Sequence, residues 1–153
     1  MRKLLDLAYR LQKRLWRIVR PRTRGVKVML FAADGGIVLI RNSYGRSDLF
    51  LLPGGGVRPF EDPAAAARRE VREELGCDVA NLAFVSTHAN HGEGKRDVVT
   101  LFRGEAVGAP VADGFEVAEA RIFPLDALPE TVSPATLRRI EEHLGRRTPD
   151  GAW

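Results

Sequence analysis

The sequence predicts an α/β layer fold. Three observations carry that expectation: two strand-like runs joined by Asp34-Gly35-Gly36, a central helix with both ends marked, and further strand-like runs leading to a second capped helix. The 153 residues suit one domain with a substantial core, and they contain no repeat and no linker long enough to set off a second body. A single cysteine excludes an internal disulfide and fits a reducing compartment, here taken as the cytoplasm. No apolar run approaches the roughly 18 residues that a membrane span requires.

The net charge of +4 averages two unlike parts. Through Lys27 there are ten Lys or Arg against Asp6 alone, which leaves 14 basic and 19 acidic residues for the remainder. The body is therefore acidic, and the high isoelectric point is no argument for nucleic-acid binding. Residues 3 to 20 read as an amphipathic helix: Leu4, Leu7, Ala8, Leu11, Leu15, Ile18 and Val19 share one side, Arg10, Lys13, Arg14 and Arg17 the other, and Pro21 stops it. Such a helix either packs on its own domain with a solvated basic face or addresses an anionic membrane surface, a polyanionic partner or a second copy of the chain in a homodimer. An Arg-rich, acid-poor presequence has the same composition. Residues 1–22 are accordingly set apart as a basic extension and residues 23–153 as the domain.

Within the domain, Val26 to Ala33 and Ile37 to Arg41 read as a hairpin around Asp34-Gly35-Gly36. Asn42 to Asp48 is a polar loop, and Leu49 to Leu52 a short strand that delivers the chain into Pro53, Gly54, Gly55 and Gly56. The central helix runs from Pro63 to Leu75, with Asp62 as N-cap, Pro63 in the first position and Gly76 as the left-handed exit. Asp78 to His88, Asp97 to Val107 and Val117 to Phe123 read as strands, with Asn90 to Arg96 a loop. Ser133 caps a closing helix that starts at Pro134 and extends to Arg147.

On the central helix, Ala64, Ala67, Val71 and Leu75 fall on one side and Glu70, Glu73 and Glu74 on another. Glu70 stands at i, i+3 to Glu73 and at i, i+4 to Glu74, where each like-charge pair costs about 0.2–0.5 kcal/mol. Arg69, at i, i+4 to Glu73, sets one positive charge against three negative ones. A bound cation answers the imbalance. Oxygen ligands without His or Cys favour Mg²⁺ or Mn²⁺ over zinc, with waters and substrate phosphates sharing the shell. The helix N-terminus and the glycine triplet let backbone approach an anion closely.

Counted from Gly55, the same stretch has Glu61 after five residues and Arg69-Glu70 after seven more, followed by Val71, Glu73, Glu74, Gly76 and Cys77. It resembles the signature of the Nudix hydrolase family, in which these letters recur at these distances. Seven fixed letters at about 6 to 7% each would match by chance about once in 10⁸ starting positions. Cys77 fills a slot that is aliphatic in the family, as a small hydrophobe can. Arg58 and Phe60 stand where many relatives carry an acidic residue and a glycine.

The resemblance covers about residues 24 to 145 and implies the Nudix α/β/α sandwich with a mixed β-sheet. It also implies Mg²⁺-dependent hydrolysis of a nucleoside diphosphate linked to another group. In that reading Glu70 and Glu74 hold the metal, Glu73 joins them or a second ion, and a carbonyl of Gly54 or Gly55 completes the shell. Arg69 orients a glutamate by ion pairing, and Glu61 reaches the metal waters. A further acid acts as base or extra ligand, with Glu119 the first choice and Glu116 the nearby alternative. Arg46, Arg58 and the Gly54-Gly55 backbone are the candidate contacts to a nucleotide-type small-molecule substrate. His88 and His91 are assigned surface or hydrogen-bonding roles, although the loop they border is a candidate substrate contact. The markers that some subfamilies place downstream are absent at Glu93 to Lys95, which leaves nucleotide sugars, nucleoside triphosphates and ADP-ribose undistinguished. The alternative function is a nucleotide-binding sensor of the same fold whose N-terminal helix addresses a partner or membrane; a fully furnished set of glutamates counts against it.

Overall fold

The computed structural model describes residues 22–90 and 96–153; the expected helix over residues 3–20 and the loop that contains His91 lie outside them. The hairpin forms around its predicted turn. Asp34 Oδ1 accepts the Gly36 N–H at 2.9 Å, and Gly35 takes a left-handed φ of 84°, so Phe31 faces Ile37 across the turn. The strands are β1 (Arg22–Phe31), β2 (Ile37–Asn42), β3 (Asp78–Asn90), β4 (Arg96–Val107) and β5 (Val117–Phe123), in one sheet of order β3-β4-β1-β2-β5. β1 runs parallel to β4 while the remaining neighbours are antiparallel, which makes the sheet mixed.

Helix α1 (Pro63–Leu75) covers one face and α2 (Pro134–His143) the other. On the first face Val26, Val28 and Leu30 of β1 and Val38 and Ile40 of β2 meet Ala66, Ala67, Val71 and Leu75 of α1. On the second, Met29, Ile37 and Leu39 pack with Phe50, Leu52, Leu101 and Ile140. Alternate residues of the same strands thus serve two cores, which is why β1 and β2 read as nearly unbroken apolar runs. Each such Val, Leu or Ile contributes about 1.5–3 kcal/mol by leaving water.

Two elements differ from the sequence reading. Leu49 to Leu52 forms isolated bridges, Phe50 to Val132 and Leu51 to Ile40, instead of a strand. The reason is a splay: β1 and β2 face each other at Phe31 and Ile37, and residues 51–57 enter the opening between them. Val28 N–H donates to the Pro53 carbonyl, Val26 N–H to that of Gly55, and Val57 N–H to that of Arg24, each at 2.9 Å. That wedge carries the glycines under α1. Helix α2 ends near His143 rather than Arg147, because Gly145 turns left-handed at φ 70° while the amides of Gly145 and Arg146 close on the carbonyls of Glu142 and Glu141. None of the described helices is long and apolar enough to cross a membrane.

Candidate active site

The caps of α1 are those its sequence prescribes. Asp62 accepts the Ala65 N–H at 3.1 Å, and Gly76, at φ 64°, returns its own N–H to the Arg72 carbonyl at 3.0 Å. With both ends fixed, the rotation of the helix decides which glutamates meet the glycine wedge. The side chains of Glu70 and Glu73 are 12% and 50% exposed, and Glu74 as a residue only 7%. Glu74 therefore belongs to the buried boundary of the helix, not to the open carboxylate face that its spacing suggests.

Gly54 and Gly55 make that burial possible. The Gly54 N–H donates to Glu74 Oε2 at 2.9 Å. Gly54 holds φ 140°, a conformation that L residues rarely adopt, and any Cβ there would collide with the Val26 carbonyl. A Cβ on Gly55 would lie 2.6 Å from the Glu70 carboxylate. Only bare backbone fits between β1 and these two acids.

Two cations face the cluster. Arg69 donates from Nε and Nη2 to the two oxygens of Glu61 at 2.8 and 3.0 Å, and from Nη1 to Glu70 at 2.7 Å and Glu73 at 3.1 Å. Its remaining bond, to the Gly56 carbonyl at 2.8 Å, ties helix to wedge. The Arg69 hydrogen bonds hold Glu61 down at about 2, so Glu61 is a fixed anion committed to Arg69. From the other side, Lys27 Nζ donates to the carbonyls of Leu52 at 3.0 Å and Gly54 at 3.4 Å. Burial lowers the Lys27 ammonium below its ordinary range, and Glu74 and Glu70 pull it back up. Burial likewise pushes the Glu74 carboxyl up to about 7 against the pull of Lys27 and the Gly54 N–H, and raises Glu70 against the pull of Arg69.

The structure separates the two later acids. Glu119 lies opposite Arg41 in the β2–β5 pairing, accepts from Arg41 Nε at 2.7 Å and also pairs with Arg121 at 3.3 Å. Glu116 is the acid whose charge raises both Glu70 and Glu74. Arg58 reaches Glu73 at 3.5 Å, whereas Arg46 is exposed and paired with Asp48 at 3.3 Å. His88 is buried at 2% exposure, with Ser86 Oγ on Nε2 and Arg139 Nη1 on Nδ1, each at 2.7 Å, and so serves the fold. Lys27 is the site residue that sequence reading passed over, having entered it only as part of the basic N-terminal charge. Its signal was a lysine set between Val26 and Val28 in a strand buried on both faces.

Among the described residues, no three His, Cys, Asp or Glu side chains are gathered tightly enough to hold a metal unaided. Glu70 and Glu74 still fit a divalent cation. They are hard oxygen donors one helical turn apart, withdrawn from water so that ionisation is costly, and an ion that leaves part of its shell to waters and substrate phosphates needs no third carboxylate.

Comparison with known proteins gives this geometry a family. Over 131 residues the chain is 28% identical to the NAD-capped RNA hydrolase NudC of two Pseudomonas aeruginosa strains; the match covers 84% of this chain but only 46% of the length of those curated relatives. A MutT NUDIX hydrolase structure from Burkholderia pseudomallei superposes with a TM-score of 0.69 at 26% identity, covering 79% of this chain and 97% of that one. The MutT protein structure from Methanosarcina mazei Go1 gives 0.66 at 24% identity over 83% and 95%, a likeness of fold. The family model for the NUDIX domain matches residues 21–144, from the edge of β1 to the end of α2, and the chain belongs to the Nudix hydrolase family.

Proposed function

We propose that the chain hydrolyses the diphosphate linkage of a nucleoside diphosphate joined to another group, on the face of α1 that carries Glu70 and Glu74. The observation that carries this reading is the pair itself. Two desolvated carboxylates are pressed against bare glycine backbone and countered by Lys27 and Arg69, an arrangement that costs ionisation energy and adds little to the fold. Glu70 and Glu74 would hold Mg²⁺ or Mn²⁺, with Glu73 at the solvent edge and the Gly54 or Gly55 carbonyl alongside. Such an ion supplies charge against the diphosphate oxygens and acidifies water.

The chain's own groups do the rest. Arg69 is a positioning residue that is itself held by Glu61 and donates directly to Glu70 and Glu73, and Lys27 holds the Gly54 carbonyl while offsetting Glu74. Arg58 and the Gly54-Gly55 backbone meet the phosphates, with Arg46 further out on its loop. A carboxylate takes the proton of the attacking water, with Glu116, whose charge is felt at Glu70 and Glu74, and Glu119, paired with Arg41, as the two candidates. The oxygen attacks one phosphorus as the phosphate-bearing leaving group departs opposite, giving two phosphate-bearing products. The name of the curated relatives puts dinucleotide diphosphates such as NAD among the first substrates to try. No described feature favours the binding-only alternative.

Replacing Glu70 or Glu74 by Gln keeps the shape and removes the charge. Each variant is expected to lose about 10²–10⁴-fold in turnover with an unchanged circular dichroism spectrum. Near-wild-type turnover in both would remove the assignment.

A further inference from the structure

Phe60 combines two features that seldom coincide. It is the most exposed large apolar residue among those described, at 106%, and its backbone sits at φ 63°. Asn81 is the other described non-glycine residue at positive φ, and asparagine tolerates that region where phenylalanine does not. A phenyl ring standing free in water gives the fold nothing in return for the strain, and strain of this kind gathers where a residue serves function.

The turn that presents the ring is fixed, and it is fixed to the active site. Glu61 N–H donates to the Arg58 carbonyl at 3.1 Å, and Arg58 N–H returns to Glu61 Oε2 at 2.9 Å. Glu61 is gripped by Arg69, the same guanidinium that holds Glu70. Two residues earlier in the same turn, the Arg58 side chain is 65% exposed and touches Glu73. One turn tied to the carboxylate site thus carries both an open aromatic ring and a solvated cation, which is the chemistry that recognises a base joined to a phosphate.

We infer that Phe60 is a specificity-determining residue whose ring stacks on the planar base at one end of the diphosphate substrate. The inference rests on the proposed hydrolysis and names the residue that would read the base of its substrate. The test compares wild type, Phe60→Gly and Phe60→Trp on NAD, which has planar groups at both ends, and on phosphoribosyl diphosphate, which has none. Phe60→Gly should melt higher than wild type, because glycine relieves the strained φ, and should still show a KM for NAD raised about tenfold with little change in kcat. Phe60→Trp should restore the KM, and phosphoribosyl diphosphate should not distinguish the three proteins. An unchanged KM for NAD in Phe60→Gly, or an equal rise on both substrates, would overturn the role. Should wild type hydrolyse neither compound, the hydrolytic reading of NAD fails separately, and calorimetric NAD binding decides for Phe60. Weaker binding by Phe60→Gly supports the stacking role; equal binding by both proteins, or none by wild type, overturns it.

Discussion

Glu74 stays usable as a carboxylate because the Gly54 N–H donates to its Oε2 and the Lys27 charge attracts it, both working against the burial that favours its protonated form. Its proton is held up to about 7, well above the ordinary carboxyl value of 4.5. A native pKa above the unfolded one means that this group stabilises the fold at low pH, and that the stability is lost as pH rises from 4.5 through 7. In EDTA at pH 8, Glu74→Gln should therefore melt at or above the wild-type temperature while remaining inactive. Lys27→Met should do the reverse on stability, because it strips the Leu52 and Gly54 carbonyls of a donor; a loss of about 1–3 kcal/mol in urea unfolding and at least tenfold in turnover is expected. The glutamates of the helix were legible from their spacing alone, since i, i+3 and i, i+4 positions are set by the helix itself. The pairing of Glu119 was not. It depends on the register that puts Glu119 opposite Arg41, and register is a property of the paired strands.

At the scale of elements, α1 was readable to the residue because Asp62, Pro63 and Gly76 are local signals whose physics needs no tertiary partner. The wedge was not readable. Whether residues 51–57 form a strand or fill a splay depends on where β1 and β2 part, and the apolar pattern is the same in either case. Gly54 is the point on which the wedge turns: Gly54→Ala should cost about 2–4 kcal/mol in denaturant unfolding, through a forbidden φ and a clash with the Val26 carbonyl. A second junction ties the chain's last residues to the sheet. Arg139, fully buried, donates to His88 Nδ1 and the Ala152 carbonyl, pairs with Glu142 at 2.7 Å and lies under the Trp153 ring at 5.5 Å, while Ala152 bridges Ala89 of β3. Burial and then the Arg139 charge lower the His88 pKa below 6.5, with Glu142 and Asp150 opposing. The unfolded chain then binds the proton that the native one refuses, so this junction is intact above pH 6.5 and loses stability as the pH falls through the native value. Melting temperatures of wild type and His88→Gln between pH 7.5 and 5 should converge on acidification; a constant gap would contradict the buried neutral imidazole.

For the whole molecule, one sheet buried on both faces explains how a chain of 153 residues can hold so much charge near one helix. The core on the first face fixes α1 against the sheet, and the Gly54 N–H bond to Glu74 joins the helix to the wedge at the carboxylates. Fold class and family signature were legible because both rest on period and spacing. The substrate was not, because the rim groups proposed to read it, Phe60 and Arg58, take their exposure and backbone conformation from the folded turn. The proposed reaction is hydrolysis of a diphosphate at Glu70 and Glu74 with a divalent cation. The most direct test is phosphatase-coupled phosphate release by wild type and Glu74→Gln across nucleoside triphosphates, dinucleotides and nucleotide sugars, with Mg²⁺, Mn²⁺ or EDTA. Turnover of at least one class by wild type that disappears in EDTA and in Glu74→Gln is the predicted result. A folded, metal-loaded wild type silent on every compound, or a Glu74→Gln enzyme as fast as wild type, would contradict it.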